Sequence, residues 1–215
     1  MTRARTSAIA AALVAAGLAA VPLYQRWLRP QWRDWGATPD EVAQPLPGDD
    51  LIPASDLQGA TTRAISIDAP PSAVWPWLAQ MGQGRAGAYT YDWIENLFGL
   101  GMHSADHIIP ELQHPQIGDV LLRTPSTEMR VQAIEPERAL VTAAANGTWT
   151  WTFVLTPIDG GRTRLISRNR IRAQGPRLAG QLYMLVMEPA SLVMERKMLK
   201  GIKERAERAK PGRGP

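Results

Sequence analysis

The stretch "QMGQGRAGAYTYDWIENLFG", Gln80 to Gly99, holds Gly82, Gly84 and Gly87 at the spacing G-x-G-x-x-G. In a dinucleotide-binding enzyme that spacing marks the loop that cradles a pyrophosphate, but only where a strand precedes it and a helix N-terminus follows. Here "PSAVWPWLAQM" reads as a helix ahead of the glycines, with Pro71 near its first turn, where a missing N–H costs nothing. The glycines are therefore expected to form a flexible helix-to-helix joint. A second short helix, "TYDWIENLFG", follows and is ended by Gly99.

His103 and His107 stand four apart, with Asp106 between them and Glu111 and His114 beyond. They would share a helix face, and could ligate a metal, only if a helix ran from Met102 to Ile108. Gly99, Gly101 and Pro110 leave little room for one, so loop histidines and no metal are expected. The absence of cysteine excludes a thiolate nucleophile, a thiolate metal site and a disulfide framework. There is no G-x-S-x-G, no H-E-x-x-H and no Walker sequence, so the familiar hydrolase and nucleotidase routes lack their parts. No cofactor is expected.

The 215 residues, 45% apolar and 20% charged, are enough for one globular domain with a tail or anchor. The net charge of +4 conceals an asymmetry. Five arginines precede the first acid; the segment Asp34 to Arg162 then holds 16 acidic and 6 basic residues; Thr163 to Pro215 holds 13 basic and 4 acidic. A basic end can meet nucleic acid or an anionic membrane. No aromatic follows Tyr183 in the basic C-terminal stretch, which argues against nucleic acid.

Ser7 to Tyr24 carries no charge over 18 residues, near the lower limit for crossing about 30 Å of hydrocarbon. Arg26, Arg29 and Arg33, interleaved with Trp27, Trp32 and Trp35, follow as an interfacial belt would. This reads as an uncleaved N-terminal hydrophobic helix, a single span that places the domain in the cytoplasm by the positive-inside rule. The alternative is a cleaved signal with Gly17-Leu18-Ala19 as its small-x-small site, and an exported domain. The chain thus divides into an anchor, 1–28; a proline-rich connecting arm draped over the domain, 29–60; a folded domain, 61–209; and a basic tail, 210–215.

Within the domain, Arg63, Ile65 and Ile67 alternate with small polar residues as a half-buried strand. "IGDVLLR", "MRVQAIEP" and "ALVTAAA" read as further strands, and Asn146-Gly147 and Asp159-Gly160-Gly161 as hairpin turns. Between those turns Trp149, Trp151, Phe153 and Leu155 share one face. In "RTRLISRNRIR" the face of Arg164, Arg168, Arg170 and Arg172 is expected to meet solvent, turning Leu165, Ser167, Asn169 and Ile171 inward. A long helix, Pro176 to Lys210, places Leu178, Leu182, Leu185, Val186, Val193, Met198 and Ile202 at three- and four-residue steps. One strand, two short helices, about five antiparallel strands and a long C-terminal helix make an α+β fold.

"RAISIDAPPSAVWPWLAQMGQGRAGAYTYDWIENLFG", "SADHIIPELQ", "TWTFVL" and "TRLISRNR" together resemble the bacterial branch of the SRPBCC (START-like, polyketide cyclase/dehydrase-like) superfamily, over roughly Ala37 to Ala209. The resemblance implies a helix-grip fold, a curved antiparallel sheet wrapped around the long helix with a deep apolar cavity between them. It implies a hydrophobic small-molecule ligand, lipid-like or polyketide-like, held between Trp149, Trp151 and Phe153 and the helix residues Met184, Met187 and Met194. Ser167 and Asn169 would be polar anchors and Tyr91 would stand at the mouth.

Arg85, Tyr89, Tyr91 and Asp92 would roof that cavity, with the two short helices as a lid. Arg85 would either receive a ligand carboxylate or phosphate or pair with Asp92 or Glu95. Binding without chemistry is favoured by an expected shortage of buried titratable groups on the cavity faces. In the alternative, a cyclase/dehydratase-type enzyme, Arg85, Tyr89 and His103 act on a bound carbonyl.

Overall fold

The protein is described from a computed structural model covering residues 24–208 except residue 125, without the side chains of residues 25, 177–179, 181 and 182. The uncharged N-terminal segment ahead of Tyr24 and the tail from 209 onward lie outside the described residues, as do the side chains of the leucines at 178 and 182. No helix among the described residues is long and apolar enough to cross a membrane.

Six strands, β1 (Leu57–Ile67), β2 (Val120–Arg123), β3 (Glu128–Glu135), β4 (Ala139–Ala144), β5 (Trp149–Ile158) and β6 (Arg162–Arg172), form one antiparallel sheet in the order β1-β6-β5-β4-β3-β2. The last five are a meander, and β1 closes against β6. The expected turn residues serve as expected: Gly147, Gly160 and Gly161 all have positive φ, and β4–β5 and β5–β6 are the hairpins they join. The register sets Arg63 of β1, Ser167 of β6 and Phe153 of β5 in one row across three strands. Five α-helices accompany the sheet among the described residues: α1 (Arg29–Arg33), α2 (Pro39–Ala43), α3 (Pro71–Ala79), α4 (Asp92–Leu97) and α5 (Arg177–Arg208). With α5 laid along the inner face of the curved sheet, the architecture is the α+β helix-grip arrangement.

The core is the packing of α5 and α3 on that inner face. Val74 and Leu78 of α3, Phe153 and Leu165 of the sheet, and Met198 and Ile202 of α5 are all buried. Leu185, Val186 and Val193 of α5, expected to belong to the apolar stripe, instead face outward. The stripe that faces the sheet runs through Met184, Glu188, Glu195, Met198, Leu199 and Ile202, and so includes two carboxylates.

The outer face of β6 does not meet solvent as its arginine alternation had suggested, because the arm covers it. Arg164 reaches Glu41 through two hydrogen bonds of 2.7 and 2.8 Å. Arg168, 4% exposed, donates to the carbonyls of Glu41, Val42 and Gln44, to Asp49 and to the Thr62 hydroxyl. Arg170 donates to the carbonyl of Ile52, and Arg172 pairs with Asp56. The arm enters α2 through a capping box in which Thr38 and Glu41 bond each other's backbone N–H. At Gly48 it presses so close that a Cβ would stand 2.5 Å from a Val141 methyl.

Arg168 gathers three carbonyls of the arm, the Asp49 carboxylate and the Thr62 hydroxyl, and removing one partner of a buried charge cluster is costly. Arg168→Ala is expected to lower the unfolding free energy by about 3 kcal/mol, measured by urea denaturation. Arg164 holds the Glu41 carboxyl below its ordinary value of 4.5, chiefly by hydrogen bonding. A lowered folded value means stability that is present above pH 4.5 and is lost as pH falls through the folded value. The stability difference between the native chain and Glu41→Gln is expected to shrink from about pH 6 to about pH 3; a constant difference would show that the Arg164 pair is not its source.

Candidate functional site

The inward position of Arg63 in the alternation of β1 obliges a guanidinium to enter the core, and the structure shows what receives it. Arg63 is fully buried. Its Nε and one terminal nitrogen donate to the carbonyl of Trp32 in α1 at 3.1 and 3.0 Å. That nitrogen also reaches the Glu188 carbonyl at 3.2 Å and the Ser191 hydroxyl at 2.9 Å on α5. The other terminal nitrogen forms an ion pair with Glu195. Burial pushes the Glu195 carboxyl up, against the downward pull of the Arg63 charge and of a hydrogen bond from Ser167.

Glu195 in turn organises the aromatic wall. Ser167 donates to one of its oxygens, and the Asn169 amide nitrogen lies 3.3 Å from both. The indole N–H of Trp151 donates to Ser167 at 2.9 Å and that of Trp149 to Asn169 at 2.8 Å. The two indoles stack at 5.8 Å with an 18° interplanar angle, and Phe153 continues the series at 4.8 Å from Trp151. Their polar edges are satisfied within the protein, so the ring faces present apolar surface, and both tryptophans are only partly buried.

Of the residues expected to bind ligand, Trp149, Trp151, Phe153, Ser167 and Asn169 thus come together, though the last two spend their hydrogen bonds on the tryptophans and on Glu195. Met184 is buried with its terminal methyl over Gly59, where a Cβ would stand at 2.6 Å. Gly59 and Trp149 both lie opposite Ile171, which sets Met184 at the level of Trp149. Met194 is partly buried, whereas Met187 is exposed. Tyr91 is exposed, with the Lys197 ammonium 5.9 Å from its ring.

The roof differs from the expected lid. Gly82 and Gly87 exchange backbone hydrogen bonds of 2.9 and 3.1 Å, so their N–H groups are turned on each other and closed to phosphate. A Cβ at Gly87, which has φ of +71°, would stand 2.8 Å from the backbone of His103. Arg85 pairs with neither Asp92 nor Glu95; it donates to the carbonyls of Ala79 and Leu112, fastening the joint to the core. Asp92 accepts from the N–H and hydroxyl of Ser104.

Tyr89 is buried, donates to the Trp77 carbonyl at 2.9 Å and lies under the Arg205 guanidinium; burial pushes its hydroxyl above the ordinary range. His103 is exposed, as are His107 and His114, and the stretch from Met102 to Ile108 is not helical. Among the described residues no three His, Asp or Glu side chains are grouped so as to hold a metal.

Arg63, Glu188 and Glu195 correct the expected shortage of buried titratable groups. The signal for them was present: Arg63 shares the parity of Ile65 and Ile67, and Glu188 and Glu195 stand seven residues apart, with Met198 and Ile202 three and seven residues beyond Glu195 on the same helical face. The deep cavity is not what the described side chains form beneath the second half of α5. There Phe153, Leu165, Met198, Leu199 and Ile202 close on one another. A void of about 10 Å³, beside Leu78, Arg85 and Leu121, has room for about one water molecule.

Neither a protein-family model nor a curated protein matches the sequence. Solved structures do match. A polyketide-cyclase-like protein from Corynebacterium glutamicum is 19% identical, with a TM-score of 0.42 over 67% of this chain and 88% of its own. A protein from Mesorhizobium loti is 15% identical, with a TM-score of 0.42 over 71% of this chain and all of its own. The Aha1 dimer from Colwellia psychrerythraea is 12% identical, with a TM-score of 0.39 over 71% and 99%. The class that the sheet order and the long C-terminal helix define is an α+β helix-grip protein.

Glu195→Gln would leave the Arg63 charge buried without its counter-ion. The expected cost is about 3–5 kcal/mol of unfolding free energy. The double variant Arg63→Leu with Glu195→Leu is expected to be more stable than Glu195→Gln in the same urea titration. A double variant as unstable as the single one would show that the packing, and not the charge pair, is at stake.

Proposed function

We propose that this chain is a membrane-tethered binding protein for a hydrophobic small molecule, lipid-like or polyketide-like. The ligand lies on the stacked faces of Trp149 and Trp151, beneath the first half of α5. The observation that carries the reading is that pair of indoles. Their N–H groups are locked to Asn169 and Ser167, their planes are set before any ligand arrives, and part of their apolar surface is left uncovered. Rigid, preoriented aromatic surface binds apolar molecules at low entropic cost. Met184, at the level of Trp149, borders this surface with a side chain that adapts to irregular shapes.

The reading as a cyclase/dehydratase-type enzyme has less support. Two of its named actors, Arg85 and Tyr89, are hydrogen-bonded to backbone carbonyls, and His103 is exposed elsewhere on the loop. The tether is residues 7–24, uncharged and followed at once by Arg26, Arg29 and Arg33, which sets the domain on the cytoplasmic side.

Titration of the purified full-length chain with a polarity-sensitive naphthalene probe tests the binding surface. Saturable uptake of one probe per chain is expected, at least about tenfold weaker in Trp151→Ala. Equal uptake by the two chains, or uptake that never saturates, would defeat the assignment of the site. External protease added to intact cells is expected to leave the domain uncut, and its digestion would reverse the orientation.

A further inference from the structure

The first half of α5 is unlike a helix surface made for water. From position 178 to Met194 its only charged residue is Glu188. That charge is turned inward and consumed by Arg29, which grips it through two hydrogen bonds of 2.7 Å. The outward positions are Tyr183, Val186, Ala190 and Val193, flanked by Leu185, with Val186 68% exposed, Val193 53% and Leu185 45%. The second half changes character at once: Arg196, Lys197, Lys200, Lys203, Arg205 and Arg208 follow. A helix that is apolar on both sides over several turns belongs in a core or against lipid, and an exposed apolar stripe bordered by basic residues is the make-up of one lying in a membrane interface.

The position of Tyr24, where the described chain begins, points to what covers this stripe. The uncharged residues 7–23 end at Tyr24, whose hydroxyl is near enough to Glu188 and Arg29 to feel both charges. The chain therefore arrives from its apolar segment at the middle of the exposed half of α5. Trp27 and Leu28, the next residues, are themselves 61% and 45% exposed, with exposed Arg26 beside them.

We propose that the outward face of α5 from Tyr183 to Val193 docks on the surface of a lipid bilayer, lying in the interface rather than spanning it. The inference rests on the membrane-tethered reading above and adds to it a second contact, which holds against the lipid the half of α5 whose Met184 lies at the level of Trp149. A hydrophobic ligand would then pass between bilayer and binding surface without crossing water, and the stripe gives that step its place in the structure. The basic second half of α5 and Arg26 suit anionic headgroups.

The chain contains no cysteine, so single thiols can be introduced without interference. Full-length chains bearing Val186→Cys, Val193→Cys, Leu18→Cys or, on the exposed side of the sheet, Thr156→Cys are labelled with a polarity-sensitive dye. Each is reconstituted into phosphatidylcholine/phosphatidylglycerol vesicles carrying spin-labelled lipids. Melting temperatures equal to that of the native chain verify the fold of each variant.

Lipid-borne quenching of the labels at 186 and 193, with none at 156, is the expected result. Quenching at 18 but not at 186 or 193 would overturn the docking of α5 while leaving the tether in place. Quenching at 186 and 193 but not at 18 would uphold the docking and reject the tether. No quenching at any position would reject both.

Discussion

The buried Arg63 guanidinium is the constraint on which the rest of this structure depends. A charge that cannot lose its proton has been taken fully out of water, and such a group is tolerable only if every donor and the charge itself find partners. Those partners come from separate parts of the chain: Trp32 of α1, the Glu188 carbonyl and Ser191 on α5, and Glu195 one turn further along. Satisfying one side chain therefore fixes how α1, β1 and α5 sit together. Apolar packing alone tolerates a helix sliding along a sheet by a turn; a charge pair with directional hydrogen bonds does not. The same carboxylate holds Ser167 and Asn169, and through them the planes of Trp151 and Trp149, so the orientation of the candidate binding surface follows from the placement of this one charge.

Charge matching on the outer face follows the same logic in milder form. The acidic middle and basic end of the chain look, along the sequence, like surfaces for other molecules. In the fold much of that contrast cancels internally. Glu41, Asp49 and Asp56 of the arm lie on Arg164, Arg168 and Arg172 of β6. A sheet covered on one face by α5 and on the other by the arm buries β5 and β6 on both sides, which explains why Thr150 and Thr152, on the outer face of a strand at the middle of the sheet, are buried as deeply as Phe153. Thr152 answers its burial by donating to the Pro47 carbonyl of the arm.

The glycine-rich joint shows the opposite use of local freedom. Its positive φ angles serve a tight, hydrogen-bonded turn pressed on the His103 backbone and tied down by Arg85. With the joint fixed and the second half of α5 packed into the sheet, the less constrained part of the inner face is the end near Trp149 and Met184. The exposed apolar stripe of α5 begins at that same end, so the candidate binding surface on β5 and the stripe proposed to meet lipid lie at one end of the fold.

The local elements were legible in the residues themselves. Period-two alternation marked β5 and β6, Asn146-Gly147 and Asp159-Gly160-Gly161 marked their turns, and the Trp149-Trp151-Phe153 face was readable as inward, because strand pleating and turn geometry depend on neighbours in sequence. The chain could also state that Arg63, Glu188 and Glu195 stand at inward positions, but not that they belong together. Arg63 and Glu195 are 132 residues apart, and only the closed sheet with α5 laid across it brings them into contact. The arginines of β6 read as solvent-facing for the same reason, since nothing local reveals that an arm more than a hundred residues earlier returns to cover them. Alternation tells which side of a strand a residue takes. Whether that side meets water, lipid or a counter-charge is decided by desolvation among distant segments, and that is a property of the tertiary structure alone.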